Sequence, residues 1–185
     1  MRKIITAAFV LVASFSLQAS LDGYFMLSVF SQGQLPSPAY SISGGRVSLI
    51  YGDCQEFYGL DVGLAGQVQE NMYGLQINGL WSGVDADMSG VQIGSLNLVE
   101  GNSIGLQVGV LNSSSEVDGV QMGLVNLSAD FRGWQLGAYN DSCDFRGLQL
   151  GVMNKVRSLY GCQIGLINVV TARDWPVWPV INIGW

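Results

Sequence analysis

Histidine is absent from this chain of 185 residues. That removes the commonest general base, the Ser-His-Asp and Cys-His arrangements, and the commonest zinc ligand. Charge is scarce as well: Asp, Glu, Lys and Arg make up 12% of the residues, about half the ~25% usual in a soluble domain. What charge there is leans acidic, a net −6, which argues against a nucleic-acid partner. Cysteine is limited to Cys54, Cys143 and Cys162, whose separations match no metal signature. No stretch repeats its apolar residues at the helical period, and past the first twenty residues none approaches a membrane-spanning helix. What is abundant is glycine, at 25 positions, and apolar side chains, at 49%.

The opening residues read as an export signal. Arg2 and Lys3 precede an uncharged apolar run, Ile4 to Leu17, and Ala19 offers a cleavage site. The run is short for a span of about 20 residues. The division expected is therefore a signal peptide at 1–19 and a single β domain at 20–185. Cleavage would leave six basic against fourteen acidic side chains. In an exported chain three cysteines leave at least one thiol unpaired or paired between chains. Cys162 occupies an apolar slot and reads as a small filler.

Most of the domain is one repeat. Glycine recurs at Gly59, Gly74, Gly90, Gly105, Gly119, Gly133, Gly147 and Gly161, at spacings of 14 to 16 residues. The phrases that follow are alike: GLQVGVLN at 105–112, GVQMGLVN at 119–126, GWQLGAYN at 133–140, GLQLGVMN at 147–154, GCQIGLIN at 161–168. Within a phrase the alternation has period 2. Leu148, Leu150 and Val152 face one way, Gly147, Gln149 and Gly151 the other, which means strand. An apolar residue two before the glycine, such as Phe131 or Phe145, extends each strand to about ten residues, and four polar or small residues follow. Four are enough for a hairpin turn and too few for a helical crossover.

The tandem G-φ-Q-φ-G-φ-φ-N units, φ being apolar, resemble those of bacterial surface-repeat proteins, found in outer-membrane and cell-surface proteins mostly of unassigned function. The resemblance is strong over 59–168 and weaker in RVSLIYG at 46–52 and the proline-rich ending WPVWPVINIGW. It implies residence at the outer membrane or cell surface, with outer-membrane lipid and the barrel-assembly machinery as partners, and it supplies no catalytic residue.

Two all-β architectures can be built from such strands. The leading expectation is an up-and-down antiparallel barrel of ten to twelve strands, with a structural or pore-type role in the outer membrane. Ten residues tilted by about 40° rise roughly 25 Å, the height of an outer-membrane band. Ile181, Ile183 and Trp185 in a closing strand at 177–185 resemble the terminal assembly signal of such barrels. The alternative is a parallel β-solenoid with one coil per repeat, serving as a surface adhesion or interaction module. Coils so stacked align Gln92, Gln107, Gln121, Gln135, Gln149 and Gln163 in one amide ladder. Asn97, Asn112, Asn126, Asn140, Asn154 and Asn168 form a second. Against the solenoid stands the polar second half of each repeat, which looks too poor in apolar residues to cover the three of the first half. On that view the glutamines line a barrel lumen or form an exposed ladder.

No assembled site for catalysis, metal or cofactor emerges, so the expectation is a protein that is not an enzyme and carries no cofactor. The glycines sit inside strands and lack the Lys-Ser/Thr of a phosphate loop. The carboxylate pairs Asp85/Asp87 and Glu116/Asp118 read as solvated turns, and Trp175 and Trp178 as interface anchors or an end cap.

Overall fold

A computed structural model describes residues 23–29 and 33–185; the export signal lies outside the described residues. The described chain is all-β and winds into a parallel β-solenoid. Its strands are β1 (Phe25–Ser28), β2 (Gln34–Leu35), β3 (Ile42–Cys54), β4 (Phe57–Val68), β5 (Met72–Val84), β6 (Met88–Val108), β7 (Leu111–Val170) and β8 (Val177–Gly184). They form one sheet in the order β2-β1-β3-β4-β5-β6-β7-β8. The successive coils pair in parallel, glycine over glycine: Gly44 with Gly59, Gly59 with Gly74, Gly74 with Gly90, Gly105 with Gly119. Strand β7 runs unbroken for 60 residues, through several coils.

This overturns the antiparallel barrel. Among the described residues only β2 on β1 and β8 on β7 are antiparallel, and the sheet's two end strands do not pair with each other. The four residues after each asparagine are not a hairpin turn. They belong to the second wall of the coil, where Val156, for example, points inward and is buried. The chain bends twice and returns one rung higher, about 4.8 Å along the axis. With the barrel goes the role of 177–185 as a strand that seals onto the first.

The interior is not where the sequence pattern suggested either. Gln76, Gln92, Gln107, Gln121, Gln135, Gln149 and Gln163 are buried, as are Asn97, Asn112, Asn126, Asn140, Asn154 and Asn168. The outward face of the same strand carries Leu148, Leu150 and Val152. The glutamine ladder is therefore neither lumen lining nor an exposed stack; it is the core. Beside it run two inward apolar columns. One is Ile42, Phe57, Met72, Met88, Val117, Phe131, Phe145 and Leu159; the other includes Cys54, Val68, Val84, Val99, Val156 and Val170. Ser103 and Ser114 interrupt these columns, dividing the apolar core into an N-terminal and a C-terminal cluster.

A polar core is tolerable because the ladder amides find partners in the next coil, Asn78 Oδ1 and Asn97 Oδ1 near the start of the asparagine column being the unpartnered exceptions. Each glutamine Nε2 donates to the Oε1 one coil earlier: Gln121 to Gln107 at 2.8 Å, Gln135 to Gln121 at 3.0 Å, Gln149 to Gln135 at 2.7 Å. The opposite wall supplies serines to the remaining lone pairs, Ser114 to Gln107 at 3.0 Å and Ser142 to Gln135 at 3.1 Å. The asparagines run the other way. Asn140 Nδ2 donates forward to Asn154 Oδ1 at 2.8 Å and to the Leu150 carbonyl at 3.0 Å. The two columns of amide dipoles thus oppose each other inside one core. The glycines make room for them. Gly133 has φ 127°, and a Cβ there would overlap the Gly119 carbonyl oxygen. At Gly137 a Cβ would sit 2.6 Å from the Asn126 amide nitrogen.

Both ends of the glutamine column are closed by charge. In the two coils before Gln76 the glutamine slot holds Asp61 and Arg46, in register. Gln76 donates to Asp61 Oδ2 at 3.0 Å, and Arg46 grips both carboxylate oxygens, Nε to Oδ1 at 2.8 Å and Nη2 to Oδ2 at 2.7 Å. At the far end Asn182 of β8 takes the slot, donating to Gln163 Oε1 at 2.9 Å, and Arg173 donates to Asn182 Oδ1 at 3.0 Å. The donor end meets an anion and the acceptor end is backed by a cation, the same match of charge to dipole that stabilises helix ends.

Replacing Gln135 with Leu orphans Gln121 Oε1 and the Gln149 amide in a dry interior. The expected loss is about 2–6 kcal/mol, at about 1–3 kcal/mol for each orphaned group. Urea denaturation followed by circular dichroism measures it, and a loss below experimental error would show the ladder to be dispensable.

Candidate functional site

Turning the amides inward turns the apolar residues outward. Four apolar columns run up the outside of the solenoid, the first and third positions after each repeat glycine on one wall and the fifth and sixth at its corner. In the central coil they are Leu106, Val108, Val110 and Leu111; two coils on they are Trp134, Leu136, Ala138 and Tyr139. From Gly45 to Ile167 none of the positions in these columns is charged. Leu124 is 60% exposed and Leu166 71%, high values for leucine within a continuous sheet. Ile181 and Ile183 pair with Ile164 and Cys162 and carry the stripe one strand further. Nine coils at about 4.8 Å make the apolar stripe about 40 Å long, a strip of about 10 Å on the wall itself that continues around the corner at Gly109 and Val110. Exposed apolar stripes of this length are found at interaction surfaces and binding grooves.

The remaining faces are ordinary in composition. A groove of about 590 Å³ runs along one corner, lined by Glu116, Asp118, Asp130, Arg132, Asp144 and Arg146 among others. Arg157 donates to Asp144 at 2.9 Å, and the Arg146 guanidinium lies over the Tyr160 ring. The Ser158 hydroxyl and Arg157 together hold the Asp144 carboxyl below its usual range. Asp87 accepts from the backbone of Asn102 one coil on, at 2.8 Å, and Asp85 accepts from Gln67. These carboxylates thus tie coils together. Trp178 donates to the Trp175 carbonyl at 3.0 Å, folding the tail onto itself, and Trp185 is exposed.

Among the described residues the buried titratable groups that cluster are Arg46, Asp61 and Cys54. Burial opposes the charge of Arg46, yet the hydrogen bond and charge of Asp61 outweigh it and raise its pKa. Cys54 receives Arg46 Nη1 at 3.1 Å. Burial pushes its thiol up to about 11, with Arg46 pulling it back and Asp61 adding to the rise. A thiol so raised is a poor nucleophile, so the cluster serves the end of the ladder. All three cysteines are free: Cys54 buried, Cys143 exposed, and Cys162 half-buried on the apolar face.

The sequence-predicted glutamines and asparagines come together as two ladders, but as framework. Arg46 and Asp61 were missed although they occupy the glutamine slot, two residues after Gly44 and Gly59. Among the described residues no group of histidine, cysteine and carboxylate is placed to hold a metal. No family model matches the sequence, and neither a curated protein nor a solved structure is similar to it.

An unfolded thiol near 9 and a folded one near 11 make stability depend on pH. The unfolded chain sheds a proton first, so stability held below pH 9 is lost as pH climbs to about 11, by about 2–3 kcal/mol. Denaturation midpoints across that window should fall further for the wild type than for Cys54→Ala; identical slopes would refute the assignment.

Proposed function

We propose that the protein is an exported β-solenoid of the cell surface whose work is binding, as an adhesion or protein-interaction module without catalysis. The observation that carries this reading is the uncharged apolar face. Solenoids present extended surfaces of this kind to partners. Here the side chains that an ordinary domain hides are displayed in rows, and the amides that it displays are hidden. The export signal and the resemblance to surface-repeat proteins support the location, and the lack of histidine supports binding over chemistry.

The test uses cells producing the chain with its own N-terminus. Surface biotinylation should label it, and fractionation should find it in the envelope. Leu124→Glu with Leu166→Glu, both outward and on the face, should lower its retention there by about tenfold, as buried like or unpaired charges do at interfaces, with the β-sheet spectrum unchanged. Recovery in the cytoplasm, or equal retention of the double variant, would overturn the proposal.

A further inference from the structure

We propose that the corner groove binds a neutral, hydroxyl-rich chain, a glycan laid along the axis of the solenoid. The site is distinct from the apolar stripe, because its residues precede the repeat glycines and those of the stripe follow them.

The shape calls for a chain. The groove passes five coils, from the one that carries Asn102 to the one that carries Ser158 and Tyr160. At about 4.8 Å per coil it is about 19 Å long. Its volume of about 590 Å³ lies within the range of about 300–1,000 Å³ usual for ligand sites.

The chemistry calls for hydroxyls. Glu116, Asp130 and Asp144 stand three residues before successive repeat glycines, and Arg132 and Arg146 stand one residue before theirs. Asp130 and Arg132 therefore flank the groove in one coil, with buried Phe131 between them, and Asp144 and Arg146 do so in the next. An ionised carboxylate only accepts hydrogen bonds and a guanidinium only donates them. Among the described residues neither Arg132 nor Arg146 closes an ion pair, and Asp130 is free as well. Each of these coils thus offers an acceptor on one side and a donor on the other, held apart. A hydroxyl satisfies both with one group, donating to the carboxylate and accepting from the guanidinium. Asp144 is already fixed by Arg157 at 2.9 Å and by the Ser158 hydroxyl, so little ordering is left to pay on binding.

Other occupants fit less well. A polyanion meets the carboxylates of Glu116, Asp118 and Asp130, and a polycation meets Arg132 and Arg146. An extended peptide advances about 3.4 Å per residue, so its amides fall out of step with coils spaced at about 4.8 Å. A sugar ring has a polar rim and apolar faces, and the groove provides for both. Its floor is formed by Ser103, Val117 and Phe131, and at one end the Tyr160 ring is 54% exposed beneath the Arg146 guanidinium, 5.4 Å from its centroid.

The purified full chain tests this on an array of immobilised oligosaccharides. Neutral gluco-, manno-, galacto- and N-acetylglucosamine chains are printed beside uronic-acid and sulfated chains and beside short free peptides. At least one neutral chain should bind, and calorimetry then gives its affinity. That affinity should hold within about twofold at about 1 M salt, where charges are screened beyond about 3 Å. Asp130→Ala with Arg132→Ala should weaken it on the order of tenfold to a hundredfold, as the loss of hydrogen bonds to two charged groups requires. Both side chains are exposed, so the circular dichroism and unfolding midpoint should stay those of the wild type. An array on which no neutral chain binds, or on which acidic chains or peptides bind in preference, would overturn the proposal. So would an affinity that collapses in salt, or a double variant that binds as the wild type does.

Discussion

The structure depends on one hydrogen bond made over and over, from a side-chain amide to the same amide one coil away. A glutamine has a donor and an acceptor on opposite sides of a planar group, and stacking coils at the spacing of paired strands brings them into contact. Once that contact sets the pitch, the rest is constrained. The interior is narrow enough for Gln135 to reach the serines of the far wall, and the coils stack so closely that Gly133 and Gly137 cannot carry side chains, a Cβ there running into the backbone of the coil before. Leucine, valine and tryptophan at the intervening positions have no room inside and are left facing out. The apolar face is thus a by-product of how the core is satisfied, and it is also the feature from which a function can be argued.

An array of aligned amides is a line of aligned dipoles, and this one is handled in two ways. Within the core the asparagine column points against the glutamine column, so their fields offset each other. At the ends, fixed charges take over. A buried ion pair is weak evidence of added stability in general, because desolvation consumes much of its attraction. Arg46 and Asp61 are better placed than most. The carboxylate accepts from the guanidinium, from Gln76 and from Asn78, leaving it fully engaged, and the guanidinium also reaches the Gln67 carbonyl at 2.8 Å.

The repeat, its strand character, its period and the two amide ladders were all legible in the residues. Which face points inward was not. Alternation of Leu148, Gln149, Leu150 and Gly151 defines two faces, but hydrophobicity alone would bury the leucines. What decides the matter is that Phe131 and Phe145, two before the glycine, share the parity of the glutamines, as do glycines too small to leave an outer surface. The four residues after each asparagine misled in a related way. Lys155-Val156-Arg157-Ser158 has the composition of a turn, and its one inward valine gives little sign that it is half of a wall. Arg46 and Asp61 escaped notice because the early repeats are degenerate, and a charge in an amide's place looks like divergence when it is in fact a terminus.

The even fourteen-residue spacing of the C-terminal repeats makes their boundaries interchangeable. Gln121 meets Gln107 and Gln135 through the same atoms, as Gln135 meets Gln121 and Gln149. Excising one unit brings together two surfaces that already fit, and inserting one demands nothing new of its neighbours. Length is therefore a free variable of this architecture, adjustable by duplication or loss of a gene segment while the closing charges at either end stay as they are. Each unit gained adds one more row of exposed leucine and valine, so the apolar stripe lengthens with the number of repeats while the residues already in it stay as they are.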